Sequence, residues 1–323
     1  MIINERNIKM WSTIGSRATF GLAAFDLAKS VDNLMVLTCD VSTSAGLDRY
    51  RKTYPEKYLD LGIAEQNMIG VAAGLASEGY KVVTTTFAPF QTMRCCEQIK
   101  VNLGYMKQNV CTVGIASGLA LGALGYTHCC IEDLSIMRSI PEIVVISPAD
   151  SVETIKALEA AIRLEKPSYI RLTGTSNNSI IYNKDYDFNI GKSIILKEGT
   201  EIVIFSTGAI LKECMDAAAV LEQKKVSARV VNMHTIKPID KEEILNACKS
   251  KLIVSVEEHN IIGGLGSAIA EYKSTINNSP PQLFLGINDY YSKGGTYNYL
   301  KNKHRLTSEK IVEDILIKLR TLK

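Results

Sequence analysis

Short apolar runs rich in β-branched residues recur along the chain, at Leu34–Thr38, Lys81–Thr85, Val110–Ile115, Ile143–Ser147 and Tyr169–Leu172. Between several of them the apolar positions fall at helical spacing, over Ala64–Ser77, Pro89–Asn102 and Ser151–Leu164. Strands that are apolar on both faces and alternate with helices build a mostly parallel sheet covered on both sides. The stretch from Ser176 to Asp187 is polar and reads as a linker. The alternation then restarts, with strands at Ile202–Phe205, Ala228–Asn232, Leu252–Val256 and Leu283–Gly286 and helices at Leu211–Leu221, Gly264–Tyr272 and Ser308–Leu319. The pattern predicts two α/β domains with mostly parallel sheets, residues 1–180 and 190–323, the second the smaller. Gln108–Ile131 carries no Asp, Glu, Lys or Arg, and Gly114, Gly118 and Gly122 repeat a spacing that suits packed membrane helices. Its glycines, Ser117, Thr127 and His128 dilute the hydrophobicity, so a buried strand followed by a glycine-rich loop is the better reading.

A length of 323 residues agrees with two domains rather than one core. Hydrophobic residues at 46% and charged residues at 22% place the chain among globular proteins and exclude a disordered one. The net charge is only +3 and no basic stripe occurs, which gives nucleic-acid binding no support. The N-terminus, Met1 to Trp11, lacks the apolar region of a signal peptide. Eight scattered cysteines without CxxC spacing predict a reduced, cytoplasmic chain with neither disulfides nor zinc.

The common nucleotide and metal motifs fail. Gly191-Lys192-Ser193 ends like a phosphate-binding loop, but Tyr186 stands where its first glycine belongs. Gly263-Gly264-Leu265-Gly266 lacks the third glycine of a dinucleotide fingerprint and reads as a close strand-to-helix turn. His128, His234, His259 and His304 share no ligand spacing, so this chain alone is expected to hold no metal. No GxSxG elbow is present. Glu65 is more informative. It stands where an apolar helix begins, which on its own suits the helix dipole. Aromatic Phe87 and Phe90 follow the next strand, and a carboxyl beside aromatic surfaces suits proton transfer.

A set of segments in fixed order carries more than any one of them. They are Asp40 in a strand-end turn, Gly62-Ile63-Ala64-Glu65-Gln66-Asn67, Phe87 to Phe90 with Arg94 and Glu97-Gln98, and Thr127-His128. Ile146-Ser147-Pro148-Ala149-Asp150 follows, then Glu257-Glu258-His259 and the Gly263–Gly266 turn. Over nearly its whole length the chain resembles stand-alone C-terminal subunits of the transketolase family. The resemblance implies a pyrimidine-binding domain and a C-terminal transketolase domain, with thiamine diphosphate held at a subunit interface. Glu65 is at the place of the family glutamate that meets N1′ of the aminopyrimidine, where a shared proton favours the tautomer that deprotonates the thiazolium carbon. Phe87 or Phe90 would stack on the pyrimidine, with Asp40 and Arg94 nearby. The plain alternative for either phenylalanine is core packing. His128 is implied as a second catalytic residue facing the donor, or else a structural loop histidine. Substrate contacts are implied for His128, Cys129 and Arg171.

The chain has no Gly-Asp-Gly, the family motif that anchors the diphosphate through a divalent metal such as Mg2+. The resemblance therefore implies a partner, an N-terminal transketolase subunit carrying a GDG…N motif, in a heterotetramer built on a homodimer of this chain. The expected substrates are small carbonyl compounds or sugars, with no nucleic acid or membrane. Ala116, Ala123-Leu124, Cys129 and Thr173 stand where typical relatives carry polar or charged residues. These departures predict a donor other than a simple phosphosugar. The reading is transfer of a ketol or acyl unit. The alternatives are a β subunit of a 2-oxo acid dehydrogenase or decarboxylase, and a catalytically inactive scaffold paralogue.

Overall fold

A computed structural model describes residues 1–322. The strands are β1 (Leu34–Thr38), β2 (Tyr58–Asp60), β3 (Lys81–Phe87), β4 (Val110–Ile115), β5 (Val144–Ile146), β6 (Ser168–Arg171), β7 (Ile194–Lys197), β8 (Ile202–Ser206), β9 (Ala228–Asn232), β10 (Thr235–Lys237), β11 (Leu252–Asn260) and β12 (Gln282–Ile287). They form a seven-stranded sheet in the order β10-β5-β6-β4-β3-β1-β2 and a five-stranded sheet in the order β12-β11-β8-β9-β7. Every pair is parallel except β10 with β5 and β7 with β9. The fully buried runs of β1, β4 and β8 are the continuous apolar stretches of the sequence, as a sheet covered on both faces requires.

The N-terminal helix Glu5–Leu27 and helix Ser151–Arg163 cover one face of the larger sheet, burying Trp11, Phe20, Ile155 and Leu158 with Val36, Val113 and Ile170. Helix Glu65–Ser77 covers the other face, and its Met68 and Ile69 belong to one apolar cluster with Val203, Phe205 and Ile253 of the smaller sheet. The two sheets therefore share a core. β10 extends that union: it follows the second domain's β9 yet pairs antiparallel with β5 of the first sheet. A covered edge cannot recruit a stray strand.

The pattern missed the N-terminal helix, whose apolar stripe is broken where Gly15 takes φ of +81° against the backbone of Thr175 and Ser176. A single helix over Pro89–Asn102 does not form. It is divided into Ala88–Gln91, Cys96–Gln98 and a π-helical turn at Ile99–Tyr105. The Thr92 hydroxyl takes the Ala88 carbonyl and the Cys95 thiol takes those of Phe90 and Gln91, so side chains compete for the helix ladder. The linker has no helix or strand, yet it is fastened. The Ile181 and Tyr182 amides donate to Asp150, and the Tyr186 hydroxyl donates to Glu153. No helix among the described residues is long and apolar enough to cross a membrane. Gln108–Ile131 holds β4 and a short 3-10 turn at Gly122–Thr127. All eight cysteines are free.

Candidate functional site

From β1 the chain moves outward to β2 and then returns to the other side of β1 as β3, so the strand order reverses there. In a parallel sheet such a reversal opens a crevice beyond the carboxyl ends of the strands. Asp40 follows β1, Glu65 follows β2, Phe87 ends β3 and the loop to His128 follows β4.

Asp40 is exposed and sits at φ of +56°, and its amide donates to Asp60 Oδ1 at 2.9 Å. The Gly62 amide donates to the same oxygen at 3.0 Å. Burial pushes the Asp60 carboxyl up, but these amides and the hydroxyls of Thr38 and Tyr58 outweigh it and hold it below the usual range. Asp60 thus sets the turn that leads into Glu65. Sequence reasoning passed over it, because a lone aspartate on a three-residue strand leaves no pattern.

Glu65 is 3% exposed, at the first position of its helix. Its carboxylate accepts from Arg94 Nη1 at 2.8 Å. The Arg94 guanidinium also lies 3.9 Å from the Phe90 ring centroid, and the Gln66 side chain donates to the Arg94 carbonyl. Phe87, Phe90 and His128 form an edge-to-face triangle, with centroids 6.3, 6.0 and 5.4 Å apart. All three rings are half-buried. The structure thus brings together Glu65, Arg94, Phe87, Phe90 and His128, from three segments of the chain.

Two expected substrate residues are placed otherwise. Arg171 is fully buried, and its Nε donates to Asp133 at 2.8 Å and its Nη2 to the Glu258 carbonyl at 2.9 Å. Burial lowers the pKa of the guanidinium, but the Asp133 charge and its hydrogen bonds outweigh that and hold it above the usual value. A side chain engaged in this way joins the domains and leaves no exposed guanidinium. Cys129 is 1% exposed, and burial, then the charges of Glu258 and Glu132, push its thiol up to about 11. It offers neither an open surface nor a thiolate near neutral pH. Thr173 is also buried, and its hydroxyl accepts from the Ala209 amide.

Glu258 went unrecognised as an organiser of the loop. Its Oε1 accepts from the Leu119 amide at 2.6 Å and its Oε2 from the Tyr297 hydroxyl at 2.6 Å. A Cβ on Gly118 would lie 2.3 Å from that carboxylate, so a glycine is required there. No group of three or more His, Cys, Asp or Glu among the described residues could hold a metal ion.

Comparison with known proteins gives two family matches, the transketolase pyrimidine-binding domain over residues 12–177 and the transketolase C-terminal domain over residues 191–311. A putative transketolase C-terminal section from Methanocaldococcus jannaschii is 38% identical over 94% of this chain and 95% of its own length. The 6-deoxy-6-sulfo-D-fructose transketolase subunit of a Clostridium species is 36% identical, over 92% of each chain. A subunit of the apulose-4-phosphate transketolase of Phocaeicola vulgatus is 34% identical over 85% of this chain and 88% of its own. A solved split-gene transketolase, described as an inactive β4 tetramer, superposes with a TM-score of 0.86 at 35% identity, covering 96% of this chain and 99% of that one.

Proposed function

Because this chain belongs to the transketolase family, we propose that it is the C-terminal subunit of a split thiamine-diphosphate enzyme that transfers a ketol or acyl unit between carbonyl compounds. The observation that carries the reading is a buried carboxylate, Glu65, beside the half-buried rings of Phe87, Phe90 and His128 at the crevice of a parallel sheet. These residues fit the aminopyrimidine half of the cofactor, which is flat and offers ring nitrogens. Arg94 covers one face of Phe90, so a flat ring would meet the opposite face or Phe87. Glu65 would hold a proton at the N1′ nitrogen and Arg94 would keep that carboxylate aimed. Asp40 borders the crevice. When bound, thiamine diphosphate supplies the nucleophilic carbon and the electron sink of the reaction. His128 would orient the donor's oxygen atoms. A divalent metal and the diphosphate would be held by an N-terminal partner subunit, in a heterotetramer around a homodimer of this chain.

For the donor, Ala123 and Leu124 are exposed and apolar, and Thr173 is committed to Ala209. None of them offers a polar group to a sugar hydroxyl, and a hydroxyl buried without a partner costs about 1–3 kcal/mol. Ordinary ketose phosphates are therefore expected to be poor donors. The relatives named for 6-deoxy-6-sulfo-D-fructose and for apulose-4-phosphate fit a family whose donors vary.

The test is reconstitution. The chain alone, with thiamine diphosphate and Mg2+, is expected to bind no cofactor tightly and to turn nothing over. Mixing it with its partner should restore activity in a donor screen. Glu65→Gln should assemble as the wild type does and lose nearly all turnover. Tight, metal-dependent cofactor binding by the isolated chain in calorimetry would refute the split site. A reconstituted pair that stays inactive with every donor would leave the scaffold reading standing.

A further inference from the structure

The loop that carries His128 is held from outside its own domain. Gly122 and Gly125 make it pliable, the latter at φ of +72°. The Gly295 amide donates to the Gly122 carbonyl at 3.0 Å, and Leu300 fills the space a side chain on Gly122 would need. Tyr126 reaches furthest across the boundary. Its ring packs at 4.9 Å against Tyr291, and its hydroxyl lies 3.0 Å from His304 Nε2 and 3.1 Å from Ser292 Oγ. Tyr291 in turn donates to Glu132 at 2.8 Å, beside helix Asp133–Ser139. His304 is 6% exposed and caps the end of helix Tyr297–Lys303. The Tyr126 side chain is half-buried, and among the described residues its hydroxyl has its partners only in the second domain.

We propose that Tyr126 and His304 are positioning residues for the donor side of the reaction, joined by a hydrogen bond across the domain boundary that fixes the loop presenting His128. The inference rests on the two-subunit reading above. One residue separates Tyr126 from His128, and the amides of His128 and Cys129 both donate to the Gly125 carbonyl, at 3.0 and 2.9 Å. A shift of Tyr126 therefore displaces the His128 ring from Phe87 and Phe90. The C-terminal domain acts on the chemistry through this contact, although it supplies no side chain to the aromatic triangle.

The test has two arms. In the first, amide hydrogen exchange is followed in the chain itself for Tyr126→Phe, His304→Ala and the double variant. Each single change is expected to speed exchange at His128 and Cys129 at least tenfold, the double variant no further, and the strand Val110–Ile115 should stay as protected as before. An unaltered loop, or effects that multiply in the double variant, overturns the contact. In the second arm, the reconstituted pair is assayed with hydroxypyruvate as the donor probe and ribose 5-phosphate as the acceptor. Tyr126→Phe should lower kcat/KM for the donor about tenfold and leave the acceptor KM at the wild-type value, and His304→Gln, which keeps a hydrogen-bonding group, should recover most of the loss caused by His304→Ala. Equal loss for both substrates, or no loss, overturns the donor-side role. If the wild-type pair turns over neither this probe nor any donor of the screen, the two-subunit reading is what fails, and the exchange arm still decides the contact.

Discussion

Glu257 is buried in the second domain, where its carboxylate accepts from the Leu265 and Gly266 amides at 2.7 and 2.9 Å. Burial pushes its pKa up from the usual 4.5 to about 7, and the two amides pull it back only in part. The folded chain therefore keeps this proton to a higher pH than the unfolded chain does. The resulting stability is fully present below about 4.5 and is lost as the pH rises through about 7. A shift of this size corresponds to about 3 kcal/mol between the two limits. His259, pushed down to about 4 by burial, has the opposite dependence, and its Nδ1 lies 3.7 Å from Glu257 Oε2, so the comparison reads the two groups together. Urea unfolding of wild type and Glu257→Gln across pH 5 to 8 should show the variant gaining steadily on the wild type as the pH rises. A pH-independent difference would mean that the proton is not held there.

At the scale of the element, the turn Gly263–Gly266 shows why an incomplete motif can be fully specified. Helix Leu265–Lys273 opens with free amides, the feature that lets dinucleotide folds hold a phosphate. Here the chain's own Glu257 occupies that end. A Cβ on Gly264 would lie 1.9 Å from Glu257 Oε2, and Gly263 sits at φ of +79°. Gly264→Ala should destabilise the chain by about 3 kcal/mol or more, since it either displaces a buried carboxylate or breaks its bonds. Gly74, mid-helix in Glu65–Ser77, has open space where a Cβ would stand, with nothing within 4 Å. Gly74→Ala should stabilise by roughly 0.5–1 kcal/mol. Thermal melts of the two variants should therefore move in opposite directions.

Across the whole molecule, the ion pair of Asp133 with Arg171 holds one of the contacts between the domains, the bond from Arg171 to the Glu258 carbonyl. Asp133 begins a helix of the first domain, Arg171 ends β6, and the Arg171 Nη2 reaches the Glu258 carbonyl on β11. Asp133→Ala would leave a guanidinium buried without its counter-charge, at a cost of about 3–5 kcal/mol. Replacing both residues by apolar ones, Asp133→Leu with Arg171→Met, should cost much less than the single change. The comparison is made by denaturant unfolding, and equal losses would show that the pair contributes through packing and not through charge.

Strand runs such as Leu34–Thr38 and Val110–Ile115 match the observed β1 and β4 residue for residue. That match has a local cause, because a strand buried on both faces must be apolar throughout. Glu65, Phe87, Phe90 and Arg94 belong to short segments whose order along the chain is distinctive, and the structure brings them together. The rest was decided in space. Arg171, implied by the resemblance as a substrate contact, is in space a buried partner of Asp133, 38 residues away. β10 follows a strand of one sheet and joins the other, since the pairing of a three-residue strand is set by the edge it meets. The contact of Tyr126 with His304 spans 178 residues. No periodicity records such a contact, because it exists only once two domains have packed and a half-buried hydroxyl of one has met a ring nitrogen of the other.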